Sequence, residues 1–286
     1  MTPTVGIFGL GLVGKALTRR LIAAQCSVMG SDPNPVCETE FAALGGQVKT
    51  PDTIWTAPVI LAAVFDTDQL ATLIDDAPLG TGHTLVSTST CDPDRMADLE
   101  ARAAAKDIHL IEAPLSGTSK DLGDGNAVFL VGGDPDRIAE LDWLWRILGR
   151  GHHYVGAIGN GNRAKLAVNL VLGLNRAALA EGLVFADSIG LDPADFLPLL
   201  QDTAAFSSVM PSKGPKMVER DFTPLGRIAQ SAKDFNLIRG LAQVADQHLP
   251  FATTYQEMMD LGLKNGNGDL DNAAVLLSIE AARPKH

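Results

Sequence analysis

The chain has 286 residues, 46% of them hydrophobic and 20% charged, with a formal net charge of −11. That is enough apolar material for one large domain or two, while an acidic balance with no basic run argues against nucleic acid or an acidic membrane surface and leaves small molecules as partners. Cys26, Cys37 and Cys91 are odd in number and lack C-x-x-C spacing, so they predict structural burial in a reducing, cytoplasmic setting, with no disulfide or metal role.

The first predicted element is a β-branched apolar strand, Thr4-Val5-Gly6-Ile7-Phe8, feeding Gly9-Leu10-Gly11-Leu12-Val13-Gly14 at the start of an amphipathic helix. In this strand, turn and helix order, Gly9 allows the tight turn, Gly11 lets backbone approach a pyrophosphate and Gly14 lets the helix pack closely. The N–H groups at the helix start, Leu12 and Val13 among them, face phosphate oxygens. Asp32 follows a second apolar segment, Ser27–Ser31, where a carboxylate can accept both adenosine-ribose hydroxyls. Pro33 brings no cation to neutralise a 2′-phosphate, so NAD is expected over NADP, with Ser31 and Asn34 as possible phosphate donors.

Further strands are predicted at Val59–Val64, Thr84–Val86, Ile108–Ile111 and Val128–Val131, with helical stretches at Asp66–Ala77 and Pro93–Ala105. Continuous apolar strands alternating with helices predict a mainly parallel, doubly wound sheet of Rossmann type over residues 1–160, with ligands at the strands' carboxyl ends. Beyond Gly156–Gly161 the pattern changes to an apolar helical run at Ala164–Ile189, then Ala194–Gln201, Ile228–Gln247 and Thr253–Lys264. An all-helical second domain is expected over 161–286. No apolar run is expected to reach the length of a membrane span, and the glycine motif occupies the place where a signal peptide needs a basic region.

Four short stretches carry groups suited to chemistry near a nicotinamide. Ser89-Thr90-Cys91-Asp92-Pro93 follows a strand; its hydroxyls either reach a nicotinamide ribose or cap a helix. Glu112-Ala113-Pro114-Leu115-Ser116-Gly117-Thr118 leaves another strand, and its Ser hydroxyl and Gly amide suit a carboxylate. Lys165 and Asn169 lie four apart on one helix face, and a lysine there either snorkels to solvent or serves as a proton donor and acceptor in a cleft. Lys233-Asp234 reads alone as a solvated charge pair. The six histidines show no metal-ligand spacing.

Taken in order, G-L-G-x-x-G at Gly9–Gly14, S-T-x-x-P at Ser89–Pro93, the A-P-x-S-G loop, G-x-G-x-x-x-K-x-x-x-N at Gly159–Asn169, and Lys233-Asp234 resemble the β-hydroxyacid dehydrogenase family, the 3-hydroxyisobutyrate dehydrogenase and tartronate semialdehyde reductase type. The closing Gly266–Asp271 turn also fits, so the resemblance covers nearly the whole chain. It implies an NAD(P)-dependent oxidoreductase acting on a small 3-hydroxy acid or its semialdehyde. Lys165 would be the acid/base, Asn169 would orient substrate, Ser116 and Gly117 would hold its carboxylate, and Thr90 and Lys233 would contact the cofactor. Helical domains that pack across subunits imply a homodimer or homotetramer. Departures from the pattern are Glu112 for aspartate, Thr118 for a second glycine, Phe65 for proline beside Val64 on the cofactor-side wall, and Leu170 for a second asparagine. Thr118 is therefore expected to narrow the accepted substrate. An imine reductase of the same fold, or a scaffold that binds cofactor without catalysis, are the alternatives; the presence of Lys165 argues against both.

Overall fold

The computed structural model describes residues 3–80 and 82–282. The chain forms two compact units that divide after Lys165. In the first unit the order is β1 (Thr4–Phe8), α1 (Leu12–Ala23), β2 (Ser27–Ser31), α2 (Pro35–Ala43), β3 (Gln47–Val48), α3 (Pro51–Ile54), β4 (Val59–Ala62), α4 (Thr67–Asp75) and β5 (His83–Ser87). A 3₁₀ turn at Pro93–Arg95 leads into α5 (Met96–Ala104), β6 (Ile108–Glu112), β7 (Leu115–Ser116), α6 (Ser119–Gly123), β8 (Val128–Gly132), α7 (Pro135–Glu140), α8 (Asp142–Leu148) and β9 (Gly151–Gly156). The long α9 (Asn160–Ser188) crosses the division; α10 (Pro193–Gln201), α11 (Met210–Glu219), α12 (Ile228–Val244), α13 (Pro250–Lys264) and α14 (Val275–Ala281) follow.

The strands form one sheet in the order β3-β2-β1-β4-β5-β6-β8-β7, with β9 beside β8. From β3 to β6 every pairing is parallel, whereas β8 runs antiparallel to β6 and β9 parallel to β8. Both faces of the parallel part are covered, which is why its strands read as unbroken apolar runs. On β4, Val59 and Leu61 enter one core cluster with Leu17 and Phe129, while Ile60 and Ala62 enter the other with Trp55, Ile74 and Leu85. Each such fully buried aliphatic side chain contributes about 1.5–3 kcal/mol.

The helical unit has its own core, in which Leu179 and Leu183 of α9 meet Phe235 and Ile238 of α12 and Tyr255 and Met259 of α13. A buried ion pair braces α11: Lys213 Nζ donates to both carboxylate oxygens of Asp271, at 2.7 and 2.9 Å. Asp271 also accepts from the Leu225 and Ala273 amides at 2.7 and 2.9 Å. Burial alone would push the Asp271 carboxyl up, but Lys213 and these donors outweigh it and hold it below the usual range. Burial draws Lys213 down to about 8, against the opposing pull of the Asp271 carboxylate.

Three expectations change. α9 begins at Asn160, four residues before the apolar periodicity, because its first turn is capped by a side chain remote in sequence. α11 lay hidden because Pro211, Gly214 and Pro215 are poor helix formers; packing and the Lys213–Asp271 pair stabilise it despite Pro215 inside the helix. By length and composition α9 would also cross a membrane, contrary to the expected absence of such a run. Its Leu166, Leu179, Ala180 and Leu183 instead bury in the core of the helical unit.

Candidate active site

The glycine turn sits at the carboxyl end of β1, where the parallel strands of the sheet finish. Gly9 adopts φ +85°, a left-handed conformation, and a Cβ on it would stand 2.5 Å from the Ala63 carbonyl oxygen. A Cβ at Gly14 would collide with the Gly9 carbonyl oxygen, so the start of α1 can lie against the turn only without a side chain there. Beyond Gly11, by contrast, a Cβ would meet nothing within 4 Å. Open space faces the first turn of α1, whose N–H groups at Leu12 and Val13 have no intrahelical carbonyl to bond. A pyrophosphate fits such a cradle.

Asp32 closes one side of this turn. Its Oδ2 accepts from the Leu10 amide at 2.7 Å and its Oδ1 from the Asn34 amide at 2.8 Å, which fixes the carboxylate at the end of β2. Each oxygen keeps a lone pair for a ribose hydroxyl. Pro33 and Asn34 beside it are exposed, and Asn34 caps α2 through the Val36 amide.

On the other side, the segments after β4 and β5 are tied together. Ser89 Oγ donates to the Val64 carbonyl at 2.7 Å, and the Asp92 amide donates to Thr67 Oγ1 at 2.9 Å. Phe65 is exposed, its amide held by Gln69 at 2.9 Å, and Thr90 is buried. In this stretch the cap of the 3₁₀ turn is the Asp92 carboxylate, not a hydroxyl, and the Ser89 hydroxyl is bonded to the Val64 carbonyl.

The Ser116–Thr118 loop leaves β7. Gly117 has φ +134°, which a side chain would strain, and a Cβ on it would stand 3.2 Å from the Asp121 Cβ. Thr118 and Asp121 form a capping box: the Thr118 amide and hydroxyl both donate to Asp121 Oδ2 at 2.7 Å, and the Asp121 amide donates back to the Thr118 hydroxyl at 3.1 Å. The Thr118 amide and hydroxyl are thus engaged within the loop.

Lys165 is buried on α9, one turn beyond Asn162. That turn is held by Glu112, which ends β6 and is fully buried. Glu112 Oε1 accepts from the Gly161 amide at 2.7 Å, and Oε2 accepts from the Asn162 amide at 3.2 Å and from Asn162 Nδ2 at 2.5 Å. Burial pushes the Glu112 carboxyl up, with these donors opposing the shift.

In the helical unit, Asn169 and Lys233 converge on Asp234. Asn169 Nδ2 donates to Asp234 Oδ2 at 2.8 Å, Lys233 Nζ lies 3.1 Å from Oδ1, and Gln230 donates to Oδ1 at 3.2 Å. Asp234 is buried, so Lys233-Asp234 is no solvated surface pair. Sequence reasoning assigned no role to Asp234, Glu112 or Asn162. The i, i+4 spacing of Gln230 and Asp234 and the acidic residue closing β6 were the available signals.

Comparison with known proteins gives the family and the fold. A family model for the NAD binding domain of 6-phosphogluconate dehydrogenase matches residues 4–157, and one for the NAD-binding of NADP-dependent 3-hydroxyisobutyrate dehydrogenase matches 159–279. The chloroplastic glyoxylate/succinic semialdehyde reductase 2 of Arabidopsis thaliana is 27% identical over 99% of this chain and 81% of its own length. The 2-hydroxy-3-oxopropionate reductase of Escherichia coli is 28% identical over 96% of this chain and 97% of its own. The crystal structure of 3-hydroxyisobutyrate dehydrogenase from Salmonella typhimurium superposes with a TM-score of 0.88 at 22% identity, covering 96% of this chain and 99% of that one. An imine reductase from Pseudomonas sp. shares the fold at a TM-score of 0.67 and 19% identity, over 98% of this chain and all of that one.

Proposed function

The chain belongs to the β-hydroxyacid dehydrogenase family of NAD(P)-dependent oxidoreductases, and from that premise we propose that it interconverts a small 3-hydroxy acid and its semialdehyde with Lys165 as the acid/base. The observation that carries this reading is the buried Lys165 on α9, in a chain that also holds the glycine cradle and the Ser116–Gly117 loop. The nicotinamide dinucleotide, when bound, supplies the hydride acceptor or donor. Gly9, Gly11, Leu12, Val13 and Gly14 would hold its pyrophosphate, Asp32 its adenosine ribose, and Val64, Phe65, Thr90 and Lys233 its nicotinamide half.

In the oxidative direction Lys165 Nζ takes the proton from the substrate hydroxyl as the hydride leaves carbon, and in the reductive direction it returns that proton to the carbonyl oxygen. Ser116 donates its hydroxyl and Gly117 its amide to the substrate carboxylate, which fixes the reacting carbon. Asn169, oriented by Asp234, donates to the substrate oxygen. The names of the relatives, reductases of glyoxylate, succinic semialdehyde and 2-hydroxy-3-oxopropionate, support short carboxylate-bearing aldehydes as the substrate class. The imine reductase neighbour speaks for the fold alone.

The test is an initial-rate screen of short 3-hydroxy acids and semialdehydes with NAD and NADP, each beside its amide or methyl ester. Free acids should turn over and neutral analogues should lose most of kcat/KM. Equal turnover of the neutral analogues would overturn the carboxylate anchor.

A further inference from the structure

We propose that Glu112 and Asn162 are positioning residues for the reaction, forming one buried hydrogen-bonded unit that sets the Thr90 loop and the first turn of α9, and with it Lys165, in a single frame. This rests on the reading of Lys165 as the acid/base. The unit has three parts. Glu112 receives the Gly161 amide and the Asn162 amide and side chain at 2.7, 3.2 and 2.5 Å. Asn162 Oδ1 in turn accepts the Cys91 amide at 2.7 Å, next to Thr90. Glu112, Asn162 and Cys91 are all fully buried, so each of these bonds is made away from competing water.

Charge and shape both call for this glutamate. All the groups it meets are donors, so only an ionised carboxylate satisfies them, and its place at the start of a long helix favours negative charge. Its carboxyl fills space that two glycines leave open. A Cβ at Gly132 would collide with Glu112 Oε1, and one at Gly161 would stand 3.0 Å from the Glu112 carboxyl carbon and 2.7 Å from the Leu130 carbonyl. The same loop is pinned to α9 twice more. Arg163 Nη2 pairs with Asp94 at 2.7 Å, and a Cβ at Gly159 would stand 3.0 Å from the Pro93 carbonyl oxygen. The Arg163–Asp94 pair is exposed and the Gly159–Pro93 contact is buried; the glutamate–asparagine pair, buried and one turn before Lys165, bears most on the register of that lysine.

The consequence is coupling. An error of about 1 Å in a reacting group can cost on the order of 100-fold in rate, and Asn162 sits one helical turn before Lys165. Loss of Glu112 or Asn162 should therefore lower kcat through Lys165 and leave the Ser116–Gly117 carboxylate contact intact.

The test is a set of thermodynamic cycles in the full chain: Glu112→Gln, Asn162→Ala, their double variant, and each of the two in a Lys165→Ala background. Glu112→Gln and Asn162→Ala should each lower kcat by about 10- to 100-fold, with substrate KM changed by less than threefold. Their double variant should lose no more than the worse single one. Glu112→Asp, which keeps the charge, should recover part of the loss. Fluorescence titration should show several-fold weaker cofactor binding for Asn162→Ala, which frees the Cys91 amide. Added to Lys165→Ala, either change should cost less than twofold more. Near-native kcat in both single variants, or losses as large in the Lys165→Ala background as in the wild type, would overturn the positioning role. Should Glu112→Gln not fold, Asn162→Ala carries the test by itself, because it removes only the bridging amide. Near-native turnover by Lys165→Ala would instead remove the acid/base reading.

Discussion

On the proposed reading Lys165 must both hold and release a proton, which separates it from any permanently charged substitute. Lys165→Ala should fold, bind cofactor and lose about 100- to 10,000-fold in kcat, the usual range for a positioned acid/base. Lys165→Arg should be nearly as poor, because guanidinium does not give up its proton near neutral pH. Stopped-flow single turnovers check both and separate chemistry from product release. Cofactor choice is expected to turn on single residues as well. Asp32 is held by the Leu10 and Asn34 amides with its charge at the end of β2, and Pro33 beside it provides no cation. NAD should therefore be preferred, and Asp32→Ser should shift the kcat/KM ratio towards NADP by tenfold or more; a wild type that favours NADP tenfold would sink this. At the proposed substrate loop, Thr118→Gly removes the hydroxyl half of the capping box with Asp121 as well as a methyl group and keeps the backbone half. It should widen the range of accepted acids and lower Tm only slightly, since replacing an N-cap threonine by glycine costs roughly a few tenths of a kcal/mol.

At the scale of elements, what could be read in the sequence depended on whether a signal was local. The β1–α1 turn was legible because three glycines and a β-branched run are contiguous, and β4 because both its faces are apolar. The antiparallel turn of β8 against β6 was not, since pairing direction leaves no periodicity of its own. α11 was concealed by its prolines, and the start of α9 by a cap 49 residues away in sequence. Of the candidate site, the motif stretches could be read in the sequence, but the contacts that Glu112, Asn162 and Asp234 make join residues remote in sequence. The brace of α11 gives a stability prediction. Lys213→Met leaves Asp271 buried without its cation and should cost about 3–5 kcal/mol, with the Asp271→Leu double variant recovering part of it. The pH dependence follows from Asp271, whose carboxyl is held below its usual range by Lys213 against the opposing effect of burial. Between the folded and unfolded values the unfolded chain binds more protons, so this stabilisation is complete above the ordinary aspartate range and disappears as pH falls through the folded value. Denaturant melts from pH 7 down to pH 2 should show a smaller acid loss in the double variant.

At the scale of the whole molecule, α9 raises the question of what covers its outer face. Val171, Ala178 and Phe185 recur every seven residues along it, and Val171 and Phe185 are 58% and 62% exposed. Gly182, one turn from Ala178, has open space where a Cβ would be, so a second helix can approach closely along this stripe. Exposed apolar side chains at a seven-residue spacing on a helix long and apolar enough to pass for a membrane span favour burial against a partner helix. A second copy of the same stripe is the proposed partner, because a two-fold contact is self-complementary. Multi-angle light scattering at micromolar concentration should give a dimer or a larger even assembly. Phe185→Glu should yield a folded monomer with unchanged far-ultraviolet circular dichroism, since a charge on the stripe blocks the contact without touching either core. A wild type that is monomeric, or a Phe185→Glu variant that stays dimeric, would show that the stripe is covered in some other way.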